Sequence, residues 1–265
     1  MNGICGGTLT GGGSFRYSRA MSFDLSDLLR DWPYEPGQLQ VRKITGSDGR
    51  EKLQLRLDMG VLQMEMTGRP DGREPHGVES ELEFQMERAE QGGKDFELSE
   101  DDVGELQSEG VQYYHRYLAL FQLGDWHSVI RDTKRNLDMF TFVAKHAPDE
   151  DTAWSVQQFR PYVMMMNTRA KANLAIEKDD VDAAIKLVEK GIAAIEKFVK
   201  DTNREGEADT SEIKSLGEWL AELRKLKPLT PIEKLNRELE RAVEDEKYER
   251  AAELRDALKA MQKKG

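Results

Sequence analysis

The sequence predicts a mainly α-helical protein with helical hairpins in its middle, a small antiparallel β element near its N-terminus and another helical hairpin at its C-terminus. Three observations support this fold class. Charged residues make up 34% of the 265 residues, a fraction typical of exposed amphipathic helices. Apolar residues recur with a helical period from residue 111 onward, and with a period of two over residues 38–66. The apolar fraction of 38% is sufficient for packed cores.

Residues 1–20, "MNGICGGTLTGGGSFRYSRA", are glycine-rich and show no periodicity. We interpret them as a flexible tail or a misassigned start, with Met21 as the true first residue. The alternative of a phosphate-binding loop is disfavoured because the glycines are not followed by Gly-Lys-Ser/Thr. The ordered part of the chain is expected to begin with "SFDLSDLLRDW" directly after Met21.

Residues 21–78 are predicted to form a small β-rich segment. Two runs with a period of two flank an Asp48-Gly49 turn, which indicates a β-hairpin. After Gly60 the apolar parity switches, as expected for a bulge or a tight turn into a third strand. The alternating apolar residues are Leu39, Val41, Leu53, Leu55, Leu57, Met59, Leu62, Met64 and Met66. A sheet this small is expected to pack on helices.

Residues 79–110 are rich in acids and are interpreted as an acidic linker, after which residues 111–227 are predicted to form a helical domain. Its apolar stripes recur at helical spacing. They include Val111, Tyr114, Leu118, Phe121, Trp126, Val129, Ile130, Leu137, Phe140 and Ala144. A further helix over residues 211–226 is expected to cover this bundle and to end before Pro228.

Two turns within this domain can be superposed. "LGDWHSVI" begins at Leu123 and "KDDVDAAI" at Lys178, which places Trp126 over Val181 and Ile130 over Ile185. Both resemble the turn between the two helices of a tetratricopeptide repeat (TPR). The turns are 55 residues apart, however, where that family repeats every 34 or so. A TPR-like domain and a generic helical bundle therefore both remain open.

The C-terminal module, residues 228–265, is predicted to be a helical hairpin. Thr230, Pro231 and Glu233 form a capping box that begins a helix. The apolar seam of this helix is Ile232, Leu235, Leu239 and Ala242. Continued without a break, the same seam would meet the acids Glu246, Glu249, Glu253 and Asp256. Apolar residues return out of phase as Tyr248, Ala251, Leu254, Leu258 and Met261, so the chain must reverse direction within residues 244–247.

The stretch "LNRELERAVEDEKYERAAELRDALKAM" resembles the UvrB/UvrC (UVR) motif of bacterial proteins in its leucines, its turn and its paired alanines. The resemblance implies a protein–protein contact, because in excision repair such a hairpin pairs with a similar hairpin of another subunit. It implies a partner protein with a related hairpin, with self-association as a further case; a hairpin that packs only on its own chain is the alternative. The predicted partner-binding residues are Leu235, Leu239, Ala242, Tyr248, Ala251, Ala252, Leu254, Arg255 and Leu258.

No catalytic residue, cofactor or metal ligand is predicted. His76, His115, His127 and His146 are scattered and form no known catalytic motif. The single cysteine, Cys5, cannot form a disulfide or a cysteine-based zinc site within one chain, which favours a cytoplasmic protein. The net charge of −11 argues against direct nucleic-acid binding, and no apolar run is long enough to cross a membrane.

Two hypotheses about function follow. The first is a non-enzymatic adaptor that holds one partner on the TPR-like helices and another on the UVR-like hairpin. The second, which depends on the UVR resemblance alone, is an accessory factor of DNA excision repair or other nucleic-acid processing.

Overall fold

The structure, a computed structural model, describes residues 24–202, 211–226 and 231–262, and within the last range it leaves out the side chains of residues 231–234, 260 and 262. The strands are β1 (Val41–Thr45), β2 (Glu51–Leu57) and β3 (Gly60–Glu65). The helices are α1 (Ser26–Asp31), α2 (Glu81–Gly92), α3 (Glu100–Gln122), α4 (Trp126–His146), α5 (Glu150–Gln157), α6 (Arg160–Ile176), α7 (Val181–Asp201), α8 (Ser211–Leu226), α9 (Pro231–Glu244) and α10 (Tyr248–Gln262). Within these described ranges no helix is both long and apolar enough to cross a membrane.

The fold class predicted from the sequence is confirmed. The three strands form an antiparallel sheet in the order β1-β2-β3. Gly49 adopts a φ of 76° in the first turn, as the Asp48-Gly49 pair predicts. The register pairs Leu57 with Gly60, so the chain enters β3 through a tight turn and not through a bulge.

Both faces of β2 are buried. Leu53 and Leu55 pack with Tyr117 and Leu120 of α3, which attaches the sheet to the helices. The opposite face is polar yet also buried, because the segment after α1 covers it. There Arg56 donates a hydrogen bond of 2.7 Å to the Trp32 carbonyl oxygen. The alternation within β2 is therefore correct for Leu53 and Leu55, but the polar positions of the strand do not face solvent. The prediction is wrong for Leu39, Leu57 and Met59, which are exposed, and Met59 lies in the turn before β3.

Residues 79–110 are not a linker, and the prediction of one is wrong. The first helix in this stretch, α2, begins at an N-cap, Ser80, whose side chain accepts a hydrogen bond from the Glu83 amide. Ser99 and Asp102 form a capping box that begins α3. Many of the acids lie in these first helical turns, where they stabilise the positive end of the helix dipole. Part of the charge that indicated a linker is thus the charge of two helix N-termini.

Helices α3 to α8 pack consecutively around apolar clusters. In α3 the predicted stripe is displaced by about one residue. Tyr113, Tyr117 and Leu120 are buried, whereas Val111 is 47% exposed. The other predicted stripe residues of α3, Tyr114, Leu118 and Phe121, are partly buried. Ala144, at the end of the α4 stripe, is exposed.

The two superposed turns have the same backbone geometry. After α3, the Asp125 amide donates to the Leu120 carbonyl oxygen at 3.0 Å, and after α6 the Asp180 amide donates to the Ala175 carbonyl oxygen at 3.0 Å. The residue before each of these amides, Gly124 or Asp179, has a positive φ. Both turns are Schellman motifs, in which a left-handed residue ends one helix and the next residue caps another. The wider likeness to a TPR domain stays a prediction.

A buried ion pair links α3 to α4, and its arginine also bonds to the end of β3. Arg116, which is 1% exposed, forms a two-pronged ion pair with the equally buried Asp132 at 2.7 and 2.9 Å. The same guanidinium donates to the carbonyl oxygens of Glu65 and Gly68. Because a buried charge is costly unless it is paired and hydrogen-bonded, these contacts fix the loop after β3 against α3 and α4.

Candidate functional site

The C-terminal hairpin is the candidate site, and its turn lies where the phase break predicts it. The Lys247 amide donates to the Ala242 carbonyl oxygen at 2.7 Å, and the Glu246 amide donates to the Val243 carbonyl oxygen at 3.1 Å. Glu246 has a φ of 57°. This is a third Schellman motif, with the same bonds as the turns after α3 and α6. Helix α10 follows at once, so the two arms run back along each other.

The predicted start of the hairpin can be checked only in part. Pro231 is the first residue of α9. The predicted N-cap, Thr230, and the predicted helix-ending Pro228 lie outside the described residues. The side chains of Ile232 and Glu233 lie outside them as well.

The inner seam of the hairpin is closed by its own two arms. Ala242 of α9 and Ala251 and Leu254 of α10 are buried in one cluster, with Leu235 and Leu239 partly buried against it. Leu258 is also buried. The four acids that would have interrupted a continuous seam, Glu246, Glu249, Glu253 and Asp256, are all exposed. Five of the nine predicted partner-binding residues therefore lie in the cluster that holds the arms together, and a sixth, Leu258, is buried as well.

The other predicted residues lie outside this cluster. The Tyr248 ring is 68% exposed, the Arg255 side chain is 61% exposed, and Ala252 is half-buried. Val243 is also exposed, at 52%, although the sequence analysis did not select it. The sequence contains a pattern that could have identified Val243, because it is an apolar residue outside the seam of an otherwise charged helix. We call Val243 and Tyr248, which flank the turn, the tip residues.

The tip position distinguishes this turn from the other two. Trp126 and Val181 occupy the position of Tyr248 after their own Schellman motifs, and each packs against an apolar cluster of the helical body. Tyr248 belongs to none of the apolar clusters found among the described residues. The residue at this position is packed in the other two turns, whereas here the Tyr248 ring is exposed to solvent.

The composition of its apolar cluster shows how far the hairpin is covered by other elements. Its apolar cluster, as far as the described residues show, draws only on α9 and α10. On its surface, Arg250 of α10 approaches Glu238 of α9 at 3.7 Å, an exposed pair that contributes little. The outer faces of both arms are therefore accessible.

A second surface feature lies on the helical body. An apolar cleft of about 390 Å³ opens between α3, α4, α5 and α6. Tyr114, Tyr117 and Tyr162 line it, and Phe159 at its margin is 50% exposed. Among the described residues that line the cleft there is no carboxylate. The cleft can accept an apolar group, and its size is within the range of ligand pockets.

His115, one of the four scattered histidines, lines this cleft. Burial lowers its pKa, which favours the neutral imidazole, and a hydrogen bond to the Val111 backbone opposes that shift. Its ring contacts Tyr114 edge-on. No described acidic group orients it in the way a catalytic base requires.

The comparison with known families gives a match for the C-terminal hairpin and for no other part of the chain. Residues 230–264 match the family model described as the UvrB/uvrC motif. This match confirms the resemblance predicted from the sequence and coincides with α9 and α10. No curated protein and no solved structure matches the chain.

Proposed function

We propose that this chain, which carries a UvrB/uvrC motif at its C-terminus, is a non-enzymatic adaptor that binds another protein through the tip of that hairpin. One observation carries the proposal: the seam is closed by the two arms, yet the tip residues remain exposed. A partner therefore has no need to open the hairpin and can pack against the ring of Tyr248.

The energetics of the hairpin favour such a partner. Two helices of about four turns with a narrow seam are marginal in isolation and gain stability from further packing. A tyrosine suits the centre of a contact, because it buries a large apolar ring and keeps a polar hydroxyl at the edge. We expect the partner to be another protein with a related helical hairpin. A second copy of this chain would also meet that description.

The cleft on the helical body provides the second contact of the adaptor. Its apolar lining and the exposed ring of Phe159 suit an apolar segment of a different protein. Two separate contact surfaces on one chain are what an adaptor requires.

The tip can be tested with matched variants of the full chain. We expect Tyr248→Ala to weaken binding to a captured partner by at least about tenfold, since central aromatic residues dominate such contacts. Glu249→Ala, at the exposed neighbouring position, should leave binding unchanged. The measurement is quantitative affinity capture, followed by titration calorimetry with each purified partner. Circular dichroism should be the same for both variants, because neither side chain is buried.

A seam variant separates the loss of contact from the loss of structure. Leu254→Asp places a charge in the buried cluster and should abolish both capture and part of the helicity. If Tyr248→Ala and Leu254→Asp both retained every partner at full affinity, the hairpin would not be the contact and the proposal would be wrong.

The UvrB/uvrC match favours a second candidate, an accessory role in DNA excision repair. With a net charge of −11, the chain is expected to reach DNA through a repair subunit and not through phosphate contacts of its own. Fluorescence anisotropy with labelled duplex DNA at low salt should therefore show no binding by the chain alone. A saturable complex that weakens as salt rises would instead indicate direct binding.

A further inference from the structure

Three potential metal ligands converge beside the N-terminus of α2, far from the hairpin in sequence. His76, Glu81 and Glu105 each offer one ligand atom, and these atoms lie within 4.8 Å of one another. His76 Nε2 and Glu81 Oε2 are 3.4 Å apart. Two bonds of about 2.1 Å at a tetrahedral zinc ion place their ligand atoms about 3.4 Å apart, which matches that separation.

Glu81 is built into the fold as an oriented carboxylate. It is only 3% exposed, and its Oε1 accepts a hydrogen bond of 2.7 Å from Gln85 Nε2. Gln85 is 1% exposed and also donates to Asp102 Oδ1 at 2.9 Å. This leaves Glu81 Oε2 directed toward His76. Such outer hydrogen bonds are what orients a carboxylate that binds a metal.

The buried carboxylate of Glu81 lies in the first turn of α2, and the buried Arg135 guanidinium attracts it over a longer distance. Among the described residues its one ion-pair contact is His76, a group that carries charge only when protonated. An ionised carboxylate in a buried place is costly unless it is paired or coordinates a metal. A bound divalent cation would give Glu81 Oε2 a direct positive partner.

His76 is held in an unusual conformation. Its φ of 55° and ψ of 14° are left-handed, an uncommon state for a residue with a Cβ atom. Its ring stacks on Phe84 with the centroids 3.8 Å apart and the planes within 15°. The backbone strain and the stacking together fix the imidazole so that Nε2 faces Glu81. Strain of this kind is concentrated at functional positions.

Glu105 completes the group from the next helix. It lies on α3, one turn after Asp102, and its side chain is exposed. Within the described ranges it makes no hydrogen bond or ion pair. Its carboxylate is therefore free to rotate onto an ion already held by the other two side chains.

We propose that His76, Glu81 and Glu105 bind a divalent transition-metal ion of the zinc type. One imidazole nitrogen and two carboxylate oxygens suit Zn²⁺ and leave a position for water, whereas Mg²⁺ and Ca²⁺ prefer oxygen ligands throughout. The ion would join the loop before α2 to the N-terminal turns of α2 and α3. This site is independent of the proposed adaptor role.

Titration calorimetry of the full chain with ZnCl₂ tests the site. One Zn²⁺ per chain is expected, and the melting temperature should rise with Zn²⁺ concentration because the ion binds the folded state. His76→Asn keeps a residue that tolerates positive φ but removes the imidazole, and Glu81→Gln removes the buried charge. Each should weaken binding by at least about tenfold.

Matched controls exclude adventitious surface binding. His127→Gln removes an exposed imidazole from α4, and Glu87→Gln removes an exposed carboxylate from α2. Both should bind Zn²⁺ as the wild type does. The proposal is overturned if no one-to-one binding occurs, or if His76→Asn and Glu81→Gln retain wild-type affinity.

Discussion

Glu246 adopts a backbone conformation that is better suited to glycine. The left-handed state lets the amides of Glu246 and Lys247 bond to carbonyl oxygens of α9, which is how the turn is closed. For a residue with a Cβ atom, this conformation raises the free energy by about 1–2 kcal/mol. In the turn after α3 the same position is Gly124, which avoids that cost.

Glu246→Gly should therefore stabilise the hairpin by about 1 kcal/mol. The measurement is native-state amide hydrogen exchange of α9 and α10, where this gain would slow exchange about fivefold. Glu246→Ala is the matched control, because it removes the same carboxylate but retains the strained backbone. Equal exchange rates in the two variants would show that the left-handed conformation carries no cost here.

At the scale of elements, α6 and α7 approach each other closely at one glycine. Gly191 of α7 lies directly against Thr168 of α6, and a Cβ atom at Gly191 would lie 2.9 Å from the Thr168 Cβ. Thr168 is buried and short, so it cannot move aside. The spacing of this helix pair thus depends on one missing methyl group.

Gly191→Ala should lower the free energy of unfolding, because overpacking costs about 1–3 kcal/mol. The gain of about 1 kcal/mol in helix propensity opposes this loss but does not cancel it. Urea denaturation followed by circular dichroism measures the difference.

Gly217→Ala provides the control for that experiment. A Cβ atom at Gly217 in α8 would have nothing within 4 Å, so this variant should be more stable by up to about 1 kcal/mol. Opposite signs for the two variants are the expected result, and a Gly191→Ala protein as stable as the wild type would contradict it.

The elements also show what the sequence could predict. Strand alternation, the Asp48-Gly49 turn and the phase break at residues 244–247 are local signals, and each placed its element correctly. The acidic stretch at residues 79–110 misled because charge density is the same for a linker and for the capped starts of two helices. The tip was only half predicted: Tyr248 was selected, but Val243 was overlooked because burial in a hairpin depends on how the arms face each other.

At the scale of the whole molecule, the sheet with α2 to α8, which we call the body, and the C-terminal hairpin are stabilised by different contacts. The body joins the sheet and the helices through buried charges such as Arg116, Asp132 and Glu109. The hairpin relies on a single narrow apolar cluster. The buried charges could not be predicted, because their partners lie 16 or more residues away and a charged residue in a helix normally faces solvent. Sequence distance also hid the grouping of Glu105 with His76 and Glu81, since Glu105 follows Glu81 by 24 residues.

The contact between Arg116 and the loop after β3 has a consequence for sequence variation. The guanidinium bonds to the carbonyl oxygens of Glu65 and Gly68, and Arg131 donates to that of Met66. Carbonyl oxygens are common to all amino acids, so these hydrogen bonds do not depend on the side chains of the loop. The loop is also held by two of its own side chains, since Arg69 pairs with Glu109 and Met66 packs against an apolar cluster. Substitutions at the other loop positions that keep the backbone path should be tolerated. A change at Arg116 would remove two of these hydrogen bonds whatever the sequence of the loop.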